Sequence, residues 1–114
     1  MSEKTVKLAA YGVDLPMVLE RFVDDEEMYL HCIDLFINDK AFPELGYAIE
    51  AGDYKTAFEK AHSMKGVSSN LGLQPLFEII CEIVEALREG KTDGLDVLYK
   101  KVLEGLEKVK ELVK

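Results

Sequence analysis

The residues best suited to chemistry lie in one stretch, AHSMKGVSSNLG, running from Ala61 to Gly72. If this stretch is helical, each residue advances about 100° around the axis. With Ala61 pointing at a core, Tyr54, Ala57, Phe58, Met64 and Leu71 fall within roughly 80° of it. Ser68 falls in the same arc, where its hydroxyl can bond back to a carbonyl one turn earlier. His62 then sits about 100° away, at the border between core and solvent. Its base can be held by packing while its distal nitrogen faces water. The one-turn neighbours of His62 are Phe58, Lys65 and Gly66, and Lys55 and Ser69 lie two turns off on the same side.

Each of these residue types has a chemical use. An imidazole titrates near neutrality, at about pH 6.5, and is nucleophilic there. It can take a phosphoryl group covalently and hand it on, which splits one transfer into two. Such a transfer needs charge neutralised on the equatorial oxygens more than it needs acid–base catalysis. Lys65, at i+3, is placed to provide that as a point charge. Gly66 costs a helix about 1 kcal/mol relative to alanine. A glycine in mid-helix beside the candidate nucleophile points to access, a gap through which another protein approaches the ring.

The elements that position this stretch are helical throughout. Asp14 reads as an N-cap, followed by Leu15, Val18, Leu19 and Phe22. Asp24 with Glu27 forms a variant capping box opening a helix with apolar positions Met28, Tyr29, Cys32, Ile33, Phe36 and Ile37. Asn38-Asp39 and Pro43 mark a break. A third piece carries Phe42, Leu45, Ala48 and Ile49 and ends at Gly52-Asp53. The His62 helix runs from Asp53 to about Leu71, with Gly72 as its C′ glycine. After Pro75 comes the most hydrophobic segment, Leu76 to Leu87, closing at Gly90. Thr92 or Asp93 is expected to cap the last helix, whose apolar positions are Leu95, Leu98, Val102, Leu106, Val109 and Val113. Short connections between long amphipathic helices imply antiparallel neighbours. The expected fold is all-α, an antiparallel four-helix bundle with one or two short N-terminal helices, and one domain over residues 1–114.

The string His62-x-x-Lys65-Gly66, with Gly72 six residues on, resembles the motif of the histidine phosphotransfer (HPt) domain family. Helix order and length fit as well, so the resemblance covers residues 12–112. It implies a bundle that carries a phosphorylated histidine on one long helix and exchanges the phosphoryl group with an aspartate of a response-regulator receiver domain. It implies His62 as the phospho-accepting residue, Lys65 as electrostatic helper, Gly66 as access residue and Gly72 as the motif glycine ending the helix. Expected partners are receiver domains or a hybrid sensor histidine kinase. Magnesium in such reactions belongs to the receiver, so no cofactor of the chain's own is expected. No Gly-rich phosphate loop, kinase domain or receiver accompanies the motif, which reads as a stand-alone phosphoryl carrier rather than an enzyme.

Composition narrows the field further. The formal net charge of −8 repels a nucleic-acid backbone. No apolar run nears the roughly 20 residues that span a bilayer, and the first ten residues lack a signal-peptide core. A cytoplasmic location is expected, with Cys32 and Cys81 as buried thiols. Neither cysteine has ligand spacing, so no metal is expected. Glu59-x-x-His62 matches one half of a di-iron motif, but no second copy exists and Glu59 projects about 160° from the stripe. His31 has no adjacent lysine or glycine and reads as a structural or surface residue. Lys55, Lys60 and Lys65 suit docking to an acidic receiver pocket. Arg88, level with the turn before His62 if the next helix runs antiparallel, is a further candidate to reach the phosphoryl group. The competing reading is a docking adaptor with the same bundle and no phosphorylation, which would have no need of a nucleophile.

Overall fold

A computed structural model describes residues 2–114, and its regular structure is helical throughout. Seven helices follow one another among these residues: α1 Glu3–Tyr11, α2 Leu15–Arg21, α3 Glu26–Ile37, α4 Ala41–Glu50, α5 Tyr54–Asn70, α6 Gln74–Arg88 and α7 Leu95–Leu112. Three long arms are α5, α6 and α7. The fourth is α3 and α4 together, bent at residues 38–40, where Phe36 and Phe42 meet edge-to-face across the break. α5 lies between α4 and α6, and α7 closes the ring against both.

Side-chain contacts fix the antiparallel register. Tyr29, in the first turn of α3, donates its hydroxyl to Leu71 O just past the end of α5, at 2.7 Å. Glu44 in α4 meets Lys60 in mid-α5 at 2.9 Å. The core between the arms is aliphatic with a few aromatic rings: Ile33, Leu45, Ala61, Ile80, Ile83 and Val102 are all fully buried. A core of this kind stabilises by roughly 25 cal/mol per Å² of apolar surface removed from water. The two short helices α1 and α2 close one end of the bundle.

That end is tied down by specific groups. The Tyr11 hydroxyl accepts from Leu76 N at 3.2 Å, serving the first turn of α6, where Leu73 at the cap position has no side chain to offer. Gly72 sits at φ +71°, and a Cβ built there would lie 2.6 Å from Cγ2 of Val18. Its place in the motif is therefore explained twice, by the left-handed backbone that ends α5 and by the close approach of α2.

Several local expectations are corrected. Asp24 does not cap α3; Val23 and Asp24 take left-handed conformations (φ 53° and 60°) as α2 ends, with Asp24 N bonded to Leu19 O at 2.8 Å. Asp25 caps instead, accepting from Met28 N at 3.0 Å. Neither Thr92 nor Asp93 caps α7, which starts from Gly94 at φ 84° without a side-chain cap. Met28 is turned outward because Tyr29, the next residue, takes the inward position in the first turn. Tyr54 is exposed as well, at the bundle end where α5 begins. Cys32 and Cys81 are free thiols, but half-buried rather than buried.

Candidate functional site

The site is built on the solvent flank of α5. Asp53 opens this helix, its carboxylate accepting from Thr56 N at 3.2 Å. Hydrogen bonding from the Thr56 side chain foremost and its backbone N next, with Lys55 adding a favourable charge, holds the Asp53 carboxyl below its ordinary range. At the other end Leu71 and Gly72 close the helix. Between them Ala57, Ala61, Met64 and Ser68 face the core. Ser68, a buried hydroxyl, satisfies itself on Lys65 O at 3.0 Å, one turn back. With those positions buried, His62 is left on the exposed side.

The imidazole is nonetheless held. The rings of Phe58 and His62 are parallel within 6°, with centroids 5.7 Å apart, an offset stack between residues one turn apart. The nucleophilic lone pair of an imidazole lies in the ring plane. A face contact therefore fixes the ring without covering the atom that would react.

The other sequence-derived residues fall around it as follows. Lys65 is half-buried, and Lys55 is exposed near the start of α5. Among the described residues neither makes an ion pair, unlike Lys60, whose bond to Glu44 raises its pKa. Gly66 opens on free space, since a Cβ built there would meet nothing within 4 Å. No packing requirement inside this chain accounts for its lack of a side chain. Ser69 is exposed two turns beyond His62. Arg88, at the end of α6, places its guanidinium carbon 5.8 Å from the Phe58 ring centroid and is bonded to Glu85. It belongs to the same cluster through Phe58, but its charge is directed to Glu85. Glu59 and His31 are both exposed, on α5 and α3 respectively. Among the described residues no three His, Cys, Asp or Glu side chains gather as a metal site would need.

One participant was not foreseen. Arg21, at the end of α2, donates to the carbonyls of Ser69 and Asn70 at 3.3 and 3.0 Å. It satisfies two carbonyls of the last turn of α5 and brings a cation to the negative end of that helix. No local pattern could have pointed to it, because the partners are 48 and 49 residues apart.

The arrangement offers a nucleophilic ring of fixed orientation, a free ammonium one turn on, and an unobstructed approach beside it. Among the described residues no titratable side chain forms a hydrogen bond or ion pair with the imidazole. No helix among the described residues is long and apolar enough to cross a membrane.

Comparison with known proteins bears on the family and the fold. The family description "Hpt domain" matches residues 17–112. Comparison with curated proteins finds no match. Among solved structures the chain resembles histidine-containing phosphotransfer protein B (HptB) from Pseudomonas aeruginosa PAO1, with a TM-score of 0.79 and 28% identity over 90% of each chain.

Proposed function

The chain belongs to the Hpt domain family, a family of phosphocarrier modules in two-component relays, and we propose that His62 is the residue through which it carries the phosphoryl group. The observation that carries this reading is the single exposed strip on α5: a stacked imidazole, Lys65 without an ion pair among the described residues, and a gap at Gly66 that nothing within the chain fills.

In the proposed step a neutral ring nitrogen of His62 attacks the phosphorus of an aspartyl phosphate on a receiver domain. The N–P bond forms as the P–O bond to the aspartate breaks, and the carboxylate leaves with the bonding pair. The proton on the other ring nitrogen is lost to water. The reverse step passes the group to a second receiver aspartate. Lys65 offsets charge on the equatorial oxygens, with Lys55 further along the same strip attracting the acidic receiver surface. Phe58 keeps the ring in line, and Gly66 lets the receiver surface reach it. Arg88 contributes only if it leaves Glu85, and Ser69 lies where the partner's edge would rest. The magnesium that such transfers use is placed on the receiver, and the chain itself serves as carrier, not kinase. Its own cysteines, Cys32 and Cys81, are free thiols, which suits a reducing cytoplasm as its location.

The experiment is phosphoryl transfer from a radiolabelled receiver domain to the purified chain. The wild type and His31→Gln are expected to take the label in an acid-labile, alkali-stable form, and His62→Gln to take none. Label retained by the His62 variant would overturn the assignment by placing the phosphoryl group on another residue, and a wild type that takes no label would leave the docking-adaptor reading.

A further inference from the structure

A groove unrelated to the His62 strip opens between α4, α7 and the start of α5, with a volume of about 540 Å³. His62 flanks the α6 side of the bundle, through Phe58 and Arg88. The groove lies on the α4–α7 side, and Tyr54, on its rim, precedes His62 by about two helical turns. Nothing in phosphoryl transfer at His62 calls for it.

The groove is a built feature rather than a gap in packing. Gly46 is its floor: a Cβ there would lie 2.5 Å from the Tyr99 ring, so only glycine lets that ring lie flat on α4. The Tyr99 hydroxyl is anchored on Phe42 O at 2.8 Å. Tyr47 and Tyr54 stand on the rim with 70% and 41% of their surfaces exposed, large aromatic faces without cover. Burial and the neighbouring Tyr47 both raise the Tyr99 pKa, so its hydroxyl stays a neutral donor. Among the described residues the charged ones lining the groove are Glu50 and Asp96, with no lysine or arginine.

We propose that this groove docks a linear peptide segment carrying an arginine flanked by apolar residues. A guanidinium is the cation that both stacks on tyrosine faces and forks onto a carboxylate, whereas an ammonium is better left hydrated. Charge selects against the other occupants. A second copy of this chain, with net charge −8, would bring like charge to Glu50 and Asp96, and so would a receiver's acidic face or a nucleic acid. Ten residues line the groove, enough for a few side chains of an extended segment and fewer than the roughly 20–30 a side of a stable globular interface. Bound on the α4–α7 side, such a segment leaves His62 free and would raise the local concentration of whatever domain it is tethered to.

The test is selection of a random peptide library displayed on phage against the immobilised full chain. The enriched peptide is then titrated into isotope-labelled protein while amide chemical shifts are followed. Arginine-bearing sequences are expected to enrich, with shifts confined to residues 43–54 and 92–99. Tyr47→Ser, and separately Glu50→Gln with Asp96→Asn, should each weaken binding about tenfold. All three positions are exposed, so the variants should melt like wild type and accept phosphate at His62 normally. Four results would overturn the proposal: no enrichment over bare support, an acidic consensus, shifts centred on His62 and Lys65, or undiminished binding by the variants. Argininamide binding as tightly as the peptide would also overturn it, making the groove a small-cation site.

Discussion

The phenyl ring of Phe58 and the imidazole of His62 lie parallel within 6° at a centroid separation of 5.7 Å. An exposed histidine on a helix otherwise samples several rotamers, and only some present a ring nitrogen outward along a line a partner can follow. Aromatic pairs of this kind stabilise their geometry by about 0.5–1.5 kcal/mol. Phe58→Leu, which keeps apolar volume against α6 but removes the stacking face, is therefore expected to slow phosphoryl transfer roughly 2- to 10-fold. Its stability cost should stay under about 1.5 kcal/mol. Single-turnover transfer rates beside denaturant melts separate the two effects. An unchanged rate would mean that the stack does not orient the reacting ring.

Gly66 gives a prediction in which stability and activity move in opposite directions. A methyl group at this position meets nothing in the chain, so Gly66→Ala should stabilise the protein by about 1 kcal/mol through helix propensity alone. The same methyl group projects beside His62 into the space a receiver would occupy. Transfer from the receiver should therefore slow, while small-molecule phosphorylation of the imidazole, with phosphoramidate as donor, should be unaffected. A more stable variant that still exchanges phosphate with the receiver at the wild-type rate would remove Gly66 from the site.

Gly72 belongs to the same sequence motif but predicts the reverse pattern. Its φ of +71° disfavours any side chain, and a Cβ would collide with Val18 at 2.6 Å. Gly72→Ala combines left-handed strain of about 1–2 kcal/mol with overpacking of about 1–3 kcal/mol, so a loss of about 2–5 kcal/mol is expected. Val18→Ala should recover part of it by clearing the contact. Where the variant remains folded, transfer per folded molecule should be near wild type. A melt within about 1 kcal/mol of wild type would show that α2 yields at this contact.

What the sequence made legible was whatever a helix carries within itself. The strip Lys55–Phe58–His62–Lys65–Gly66 follows from helical periodicity once one core-facing residue is chosen, and the Ser68 back-bond follows from the same rotation. The caps Asp14 and Asp53 act through partners three residues away and were equally readable. Errors began where the backbone left regular geometry. Val23 and Asp24 both turn left-handed, which moved the α3 cap by one residue, and the αL Gly94 displaced Thr92 and Asp93 at α7. Features made by distant segments left no trace in local pattern: Arg21 on the end of α5, Tyr11 at the start of α6, and the fit of Tyr99 onto Gly46 across 53 residues of chain. The direction of Arg88 toward Glu85 and Phe58 was a matter of rotamer choice at a helix end, which spacing does not decide.

Glu26 supplies a pH dependence at the far end of the bundle. Its carboxylate accepts from Ser2 N at 2.8 Å and from the Thr5 hydroxyl at 3.0 Å, fastening the first turn of α1 to α3. These hydrogen bonds, those to Ser2 foremost, hold its pKa below the ordinary value of 4.5. A carboxyl with a depressed folded-state pKa stabilises the docked state above its unfolded value, and that contribution disappears as pH falls through the folded value. Acidification from pH 6 to below 4 should therefore loosen the first turn of α1 while α5 and α6 stay folded. Cα chemical shifts of residues 3–6 would report it as a drift toward coil values. Glu26→Gln retains an acceptor oxygen without the titrating proton, so its α1 shifts should change little over the same range. If the Gln variant followed the same pH curve as wild type, the acid sensitivity would lie in another carboxylate, and the Ser2–Glu26 bond would not be what holds α1 in place.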